Sequence, residues 1–459
     1  MRVIICGAGQ VGYSIAAYLA REENEVTVID RDPALVRQIN DDLDVNSVLG
    51  NASTPDVLER AGAAEADMVI AVTHVDEVNM VACQVAHSLF NVPKKIARVR
   101  NQSYLETAWA NLFSRAHMPI DVIISPEVEV AHAIMERLEI PGTTNIVTLA
   151  DNQVHLVGVL CDETCPVLHT PIGQLAALFP DLPIEVSLII RGQELIFPGD
   201  LDQLLPHDEV YFFTDHAHLR RALAAFGHEE PDARHICILG GGNIGLYLAR
   251  LLRKNHREIE VRIIERDPAR AEDLSRELDD VIVLKGDGLQ REILMEANMP
   301  HADAMIAVTN DDETNILSSL LAKQYGCARA ITLVNKPTYN TLVTSLGVDA
   351  VVSPRTSTVS TIMRYVRRGR IKALHTISDG LVEVIEAEIS DSSALAHQKL
   401  DTLDLPENVM IGAIVRGKDV LMPSSNCTIM PLDHVVLLAQ TGRAREVEQL
   451  FTVQVDIFN

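Results

Sequence analysis

Glycines at Gly7, Gly9 and Gly12, and again at Gly240, Gly242 and Gly245, place a Gly-x-Gly-x-x-Gly spacing twice in one chain. Glycines so spaced let the backbone turn tightly after a strand, approach a pyrophosphate closely, and pack the next helix on the strand. Alone the pattern is weak, because glycines also gather in ordinary turns. Here each copy follows an apolar run (Val3 to Cys6; Ile236 to Leu239) and opens a helical one, the context that a dinucleotide fingerprint requires. An anion would then rest on the first helical turn, where free N–H groups and the helix dipole favour negative charge. In the first copy that turn comprises Gly7, Ala8, Gly9, Gln10, Val11 and Gly12; in the second, Gly240, Gly241, Gly242, Asn243, Ile244 and Gly245.

An acidic residue closes the next strand in each copy: Asp30, 18 residues after Gly12, and Glu265, 20 after Gly245. A carboxylate there accepts hydrogen bonds from ribose hydroxyls and repels a 2′-phosphate, so the expected cofactor is NAD(H) and not NADP(H). Arg31 and Arg266 follow directly, and a guanidinium there could stack on adenine or grip a phosphate. Thr73 and Thr309 follow the fourth strand at the carboxyl edge of the sheet, where ligands bind. Thr73-x-x-Asp76 and Thr309-x-x-Asp312 fit a helix capping box equally well, and one hydroxyl could serve both purposes. Asn51 and Asp287 could reach adenine, but Gly50-Asn51 and Gly286-Asp287-Gly288 read more readily as turns. Arg98 lies inside the apolar strand 96–99, where a charge costs free energy unless a phosphate or an acidic neighbour pairs with it.

The elements that must hold these residues repeat as well. Asp30-Arg-Asp-Pro33 recurs as Glu265-Arg-Asp-Pro268, and 66–73 recurs as 302–309, followed by Asp76-Glu-x-Asn79 and Asp312-Glu-x-Asn315. The likeness continues: Arg191-Gly192, Pro198, Pro206 and Asp208 match Arg416-Gly417, Pro423, Pro431 and Asp433 at one constant offset. Each half therefore holds two parts. The first alternates short Val/Ile runs with helical stretches, implying βαβ crossovers and a doubly wound parallel sheet. The second, at about 147–213 and 373–438, has short strands between Pro/Gly turns and reads as a small α+β domain. The expected division is 1–140 and 229–368 for the two Rossmann-like, NAD-binding domains, with 141–228 and 369–459 for the small domains. Linkers are expected at Pro141-Gly142, at 228–232 and around 367–370.

Composition narrows the function. The 64 acidic and 39 basic side chains leave a net charge of −25, which removes the electrostatic basis for non-specific nucleic-acid binding. The chain opens directly on a strand, without a signal-peptide pattern, and no apolar stretch approaches the ~20 residues that span a bilayer, so direct membrane insertion is not expected. Seven scattered cysteines show no C-x-x-C pair and read as reduced core residues of a cytoplasmic protein. Cys161 and Cys165 form the only close pair, and the acidic Asp162-Glu163 between them reads as a surface turn and not a metal cage.

Paired glycine fingerprints, acidic strand ends, a duplicated Ala-Val-Thr-x-x-Asp-Glu-x-Asn and trailing small domains, all over the full length, resemble the TrkA family. The segment 76–86 leading to Ser88-Leu-Phe-Asn91 is especially similar. That resemblance implies tandem RCK (KTN) pairs, each a Rossmann-like domain followed by an RCK C-terminal domain. It also implies a cytoplasmic, NAD-binding regulatory subunit of a Trk potassium uptake system, assembled into a ring-like homo-oligomer, a tetramer of tandem units. Such a subunit would dock on a TrkH or TrkG membrane subunit, peripheral on the inner face of the plasma membrane, and gate it by bound nucleotide. By the same resemblance the nucleotide contacts fall on Gly7 to Val11, Asp30, Thr73, His74 and Arg98, and on Gly240 to Ile244, Glu265, Thr309 and Asn310. Leu333 stands where the first copy has Arg98, so the two sites are expected to differ, and one of them could take ATP or ADP. The alternative is an NAD-dependent oxidoreductase with duplicated cofactor domains. It would need a proton-transfer group beside the nicotinamide, and the sequence offers no Tyr-x-x-x-Lys and only small trailing domains.

Overall fold

Runs such as Val3-Ile-Ile-Cys6 and Met68-Val-Ile-Ala71 are apolar throughout, so a strand built from them must be covered on both faces, as in a parallel sheet flanked by helices. The computed structural model describes residues 1–21, 24–366, 371–377, 380–400, 403, 405–423 and 427–451. The first half opens with β1 (Arg2–Cys6), α1 (Gln10–Arg21), β2 (Glu25–Asp30), α2 (Pro33–Asp42), β3 (Asn46–Leu49) and α3 (Pro55–Arg60). It continues with β4 (Met68–Ala71), α4 (Asp76–Phe90), β5 (Lys94–Arg98), β6 (Val122–Ile124) and α5 (Pro126–Glu139). These strands pair in parallel in the order β3-β2-β1-β4-β5-β6. The order reverses between β1 and β4, and a doubly wound sheet binds ligands outside the carboxyl ends of the strands at such a point. Local chemistry starts α2: Asp32 accepts from the Ala34 N–H at 2.8 Å and Pro33 supplies a preset first residue.

Next come β7 (Thr143–Leu149), β8 (Val154–Leu160), α6 (Leu175–Leu178), β9 (Ile184–Arg191), β10 (Glu194–Ile196), β11 (Glu209–Asp215) and α7 (Leu219–Ala225). They form an antiparallel sheet ordered β10-β9-β11-β8-β7. The second half repeats the plan with β12 (His235–Leu239), α8 (Asn243–Asn255), β13 (Glu260–Glu265), α9 (Pro268–Glu277), β14 (Val281–Lys285) and α10 (Arg291–Glu296). There follow β15 (Ala304–Ala307), α11 (Asp312–Gln324), β16 (Arg329–Leu333), α12 (Asn340–Ser345), β17 (Ala350–Val352) and α13 (Pro354–Val366). The strand order is again 3-2-1-4-5-6 in local terms, β14-β13-β12-β15-β16-β17. Last are β18 (Ile371–Ile377), β19 (Val382–Glu388), β20 (Val409–Arg416), β21 (Asp419–Leu421), β22 (His434–Gln440) and α14 (Ala444–Phe451). Their sheet, β18-β19-β22-β20-β21, has the connectivity of the first small sheet read from the other edge. Two doubly wound sheets, each followed by a small α+β domain, are therefore present as the sequence leads one to expect.

The chain divides into two compact units that do not simply follow the repeat: residues 1–131 with Ser353–Val366, and His132–Val352 with the described residues after 366. In the first unit, α13 packs on α1 and β6, and Thr361 Oγ1 donates to Glu129 Oε2 at 2.7 Å. In the second unit, the end of α5 meets α8, with the His132 and Tyr247 rings 6.1 Å apart and His256 Nε2 3.2 Å from Glu139. The two small sheets, both in this unit, share one apolar core that includes Leu156, Tyr211 and Phe213 with Val384, Val436 and Leu438. A Cβ on Gly412 would lie 1.8 Å from the Phe213 ring, so only glycine lets β20 come that close. The linker expected around 367–370, and with it the boundary at 368/369, lies outside the described residues.

Arg191 and Arg416, at Arg-Gly turns, serve the fold. Arg191 donates Nε and Nη2 to the two Asp208 oxygens, each at 2.8 Å, and Arg416 grips Asp433 at 2.8 and 2.7 Å. Both carboxylates are 1% exposed, and each also accepts a backbone N–H, from Leu205 or Met430. Removing one partner of such a pair leaves a buried charge uncompensated, at a cost of about 3–5 kcal/mol. Arg191→Met should therefore raise amide hydrogen exchange across β9 and β11 sharply, whereas Arg191→Met with Asp208→Leu should recover much of the protection. Equal exchange in the single and double variants would refute the buried-charge account.

Candidate functional site

The site is built where β1 hands the chain to α1. Gly7 has φ +112°, and a Cβ there would sit 3.0 Å from the Thr73 N–H nitrogen, so the turn lies directly against the end of β4. A Cβ on Gly12 would meet the Gly7 carbonyl oxygen at 1.8 Å, which presses α1 onto the strand it follows. The second copy repeats this: Gly240 has φ +102°, and a Cβ on Gly245 would lie 2.0 Å from the Gly240 oxygen. The middle glycines are different. A Cβ on Gly9 would have only His74 Nε2 nearby, at 3.8 Å, and one on Gly242 nothing within 4 Å. The outer glycines are therefore demanded by the chain itself, and the middle ones leave a bare backbone facing outward at a helix N-terminus.

Asp30 and Glu265 reach this turn from the neighbouring strand. Asp30 accepts from the Ala8 N–H at 2.6 Å and the Asp32 N–H at 2.8 Å; Glu265 accepts from Gly241 at 2.7 Å and Asp267 at 2.8 Å. Each carboxylate so ties the glycine turn to the end of its strand while keeping further acceptor positions on its two oxygens. Arg31 and Arg266 are exposed.

Thr73 and Thr309 do not cap the helices that follow. Helix α4 starts two residues later than a capping box needs, with Val75 at the N-cap and no side-chain cap, and α11 is capped by Asp311, which accepts from the Thr314 N–H at 2.7 Å. The threonine hydroxyls turn inward to Asn79 and Asn315, donating to Oδ1 at 2.7 and 2.6 Å. Asn79 is 0% exposed and satisfied on all sides: Oδ1 also accepts from the Thr73 N–H, while Nδ2 donates to the Thr73 and Arg98 carbonyls at 3.1 and 2.9 Å. Asn315 does the same between Thr309 and Leu333. Asp76 completes the brace by accepting from the Arg100 and Asn101 N–H groups at 2.9 Å, as Asp312 does from Asn335 and Lys336. Asp-Glu-x-Asn thus joins the ends of β4 and β5, and of β15 and β16. That role is invisible in the sequence, where a polar helix residue reads as solvated.

Arg98 is 8% exposed, and its Nη2 donates to the Thr73 carbonyl at 2.7 Å. Its Nε is buried with no hydrogen-bond partner among the described residues. Among the described residues no acidic side chain bonds it directly: Glu127 pairs with Arg100 and Asp76 with backbone. Burial, with the Arg100 cation second, holds the Arg98 guanidinium below the usual arginine value, while Glu127 and Asp76 pull the other way. Leu333 is buried at the matching place and brings no charge. The second copy has another cation instead, missed in the sequence. Arg270, in the first turn of α9 where the first copy has Leu35, donates Nε to the Gly241 carbonyl at 2.7 Å. Asn51 and Asp287 close turns, accepting from the Ser53 and Leu289 N–H groups. His74 and Asn310 are both exposed at the β4 and β15 ends. Among the described residues no group of three or more His, Cys, Asp or Glu could hold a metal, and no helix is long and apolar enough to cross a membrane.

With this geometry in view, relatives are informative. The TrkA-N domain family matches residues 3–126 and 236–354, and the TrkA-C domain family matches 384–452. A Trk system potassium uptake protein TrkA from Azorhizobium caulinodans is 48% identical over 458 residues, covering 100% of both chains. Proteins of the same name from Halomonas elongata and Vibrio alginolyticus are 40% and 38% identical, covering 100% and 98% of each chain. Among solved structures, the GsuK RCK domain has a TM-score of 0.59 at 18% identity, covering 98% of this chain and 94% of that one. The GsuK channel bound to NAD also has a TM-score of 0.59 at 18% identity, covering 98% and 78%. Family matches in both halves and 48% identity along the whole length together place this chain in the TrkA family of Trk system potassium uptake proteins.

Proposed function

We propose that this chain is a regulatory subunit that binds NAD(H) at the glycine turns of both halves and gates a potassium-translocating membrane subunit of the TrkH or TrkG type. The observation that carries this reading is the division of labour among the glycines: the outer two are consumed by the fold, and Gly9 and Gly242 face outward without a steric need of their own. The pyrophosphate would lie on Gly7 to Gly12 and Gly240 to Gly245, with ribose on Asp30 and Glu265, and with Thr73, His74 and Arg98, or Thr309 and Asn310, toward the other end. Arg31 and Arg266 are free to lie along the adenine. The GsuK channel, solved with NAD bound, supports nucleotide recognition by this kind of fold. Each half would work as a Rossmann-like domain (1–140; 229–368) with its small domain (141–228; 369–459). The protein would assemble as a ring of tandem units and sit at the inner face of the membrane through its partner, without chemistry of its own.

The two sites should differ. Only the first places a buried guanidinium on the β5 side, and charge-assisted hydrogen bonds contribute about 1.5–3 kcal/mol, or about ten- to a hundredfold in affinity. The second, with Leu333 there, is the one suited to an adenine mononucleotide such as ATP or ADP. Because a Cβ fits at Gly9 and Gly242, Gly9→Asp and Gly242→Asp should fold and should each abolish one class of binding in calorimetric titrations with NADH, NAD and ATP. Identical losses in both variants would mean that the sites are equivalent or coupled. Arg98→Leu, which installs the second copy's residue, should weaken NADH binding at the first site about ten- to a hundredfold. Unchanged affinity would remove the guanidinium from the account. NADH absorbance should stay constant with a panel of hydroxy acids; steady oxidation would favour the oxidoreductase instead.

The partner is tested in cells. No helix among the described residues is long and apolar enough to cross a membrane, which supports the reading that potassium passes through another polypeptide. The chain should enter the membrane fraction when a TrkH-type subunit is present and leave it when that subunit is deleted. Retention without the subunit would point to direct lipid binding, which a net charge of −25 disfavours at an anionic leaflet.

A further inference from the structure

The first small domain borders a cavity of about 640 Å³ whose walls include no residue of either glycine turn. Cavities that hold small ligands run from about 300 to 1,000 Å³ and combine an apolar lining with a few polar groups that fix orientation. Four parts of the chain meet around this one: the end of α5, strands β7 and β8, helix α7, and residues 228–230 at the start of the link to β12. Ile140, Ile146, Leu219 and Leu223 supply apolar surface. Among the polar residues of the wall, the Thr148 hydroxyl lies 3.3 Å from His155 Nδ1, and His155 Nε2 lies 3.0 Å from His216 Nδ1. His155 is 2% exposed, and both of its ring nitrogens are met by these neighbours, so it asks nothing of a ligand.

The charged groups of the wall are not all so occupied. Glu139 is spent on His256 Nε2 at 3.2 Å and Arg220 on Asp232 at 2.6 Å, and Glu136 is engaged as well. Glu230 gives Oε1 to His228 Nδ1 at 3.0 Å, but its Oε2 is buried with no hydrogen-bond partner among the described residues. Glu229 and Arg221 are exposed and make neither an ion pair nor a side-chain hydrogen bond among the described residues. Uncommitted groups of both signs therefore border one apolar surface.

The repeat shows that the small-domain fold does not require them. Strand register and helix start align His155 with Glu383, His216 with Thr441, Arg221 with Glu446 and Leu223 with Glu448. All four positions change in charge or polarity, while the buried Arg191–Asp208 pair recurs as Arg416–Asp433. Glu446, standing where the first copy has Arg221, pairs with Arg443 at 2.8 Å.

We propose that this cavity is an effector site for a zwitterionic small molecule with an apolar body, an apolar α-amino acid. The Arg221 guanidinium would meet its carboxylate, Glu229 and the unpaired Glu230 Oε2 its ammonium group, and the isoleucines and leucines its side chain. Two opposite charges joined to one apolar group select such a molecule over an amine or an acid alone, because either of those leaves one side of the wall unmet. The walls comprise the helix by which the chain enters the small domain and the residues by which it leaves for the second half. An occupant would therefore draw α5, α7 and the link to β12 together.

The test is made on the full chain without nucleotide, so that its outcome is separate from the reading of the glycine turns. L-Phenylalanine is titrated by calorimetry beside phenethylamine, which lacks only the carboxylate, and hydrocinnamate, which lacks only the ammonium group. Phenylalanine should bind saturably and each analogue at least about tenfold more weakly, as the loss of one charge-assisted hydrogen bond requires. Arg221→Met should lower phenylalanine to the affinity of phenethylamine and leave phenethylamine unchanged. Glu229→Gln should weaken phenylalanine and phenethylamine together and leave hydrocinnamate unchanged. Both residues are exposed, so both variants should fold. On the unmodified chain, amide hydrogen exchange at 136–141 and 219–230 should slow when phenylalanine is added. Absence of saturable binding, equal affinity for phenylalanine and either analogue, full affinity in Arg221→Met, or protection confined to other segments would each overturn the proposal.

Discussion

There is no room for a methyl group between α1 and the end of β1. The Gly7 carbonyl lies 1.8 Å from where a Gly12 Cβ would be, and the Gly240 carbonyl 2.0 Å from that of Gly245. This contact fixes the depth and angle at which each helix begins, and hence where its unsatisfied N–H groups point. The rest of the site hangs on that placement. Asp30 and Glu265 can reach the turn because it is pinned low on the strand, and the backbone of Gly7 and Gly240 can lie against Thr73 and Thr309 for the same reason. A wider approach would separate the β1 and β4 ends, where doubly wound sheets bind their ligands.

What was legible in the sequence were residues whose type alone restricts the backbone or carries a charge to a strand end. Gly7, Gly12, Asp30 and their partners in the second half could be given roles from spacing, because few residue types meet those demands. Asn79 and Asn315 could not, since their value comes from four hydrogen bonds made after β4 and β5 have come together. The threonines were ambiguous for a related reason: a helix start displaced by two residues turns a cap into an inward-facing hydroxyl. Arg270 looks like any polar residue of an exposed helix, and only the fold brings its guanidinium back to Gly241. Nor does the repeat disclose that α13 packs in the same compact unit as the first sheet. Contacts made far along the chain leave no local periodicity.

Duplication has kept the supports more faithfully than the contacts. The Arg191–Asp208 and Arg416–Asp433 pairs, the two asparagine braces and the paired glycine contacts are nearly superimposable in chemistry. Each is buried or sterically tight, so a change in one partner alone leaves an uncompensated charge, an unpaired amide or a clash. Positions that differ include Arg98 against Leu333, Leu35 against Arg270 and His74 against Asn310; of these residues Arg270 bonds the glycine turn and Arg98 the end of β4.

On the proposed function, these differences would set how each half responds to a ligand. In the first, Arg98 is held under the Thr73 carbonyl with its Nε buried and unpaired among the described residues. A buried unpaired donor costs about 1–3 kcal/mol, and an acceptor brought to it recovers that amount on binding and not before. In the second, Leu333 is simply buried, and Arg270 already spends its Nε on Gly241. A ligand shifts a conformational equilibrium only through the difference in its affinity for the two states. The first half holds a buried unpaired donor on its β5 side, and the second has a buried leucine there. On the proposed function, one ligand offered to both turns would gain more at the first, where the buried donor is paired only on binding.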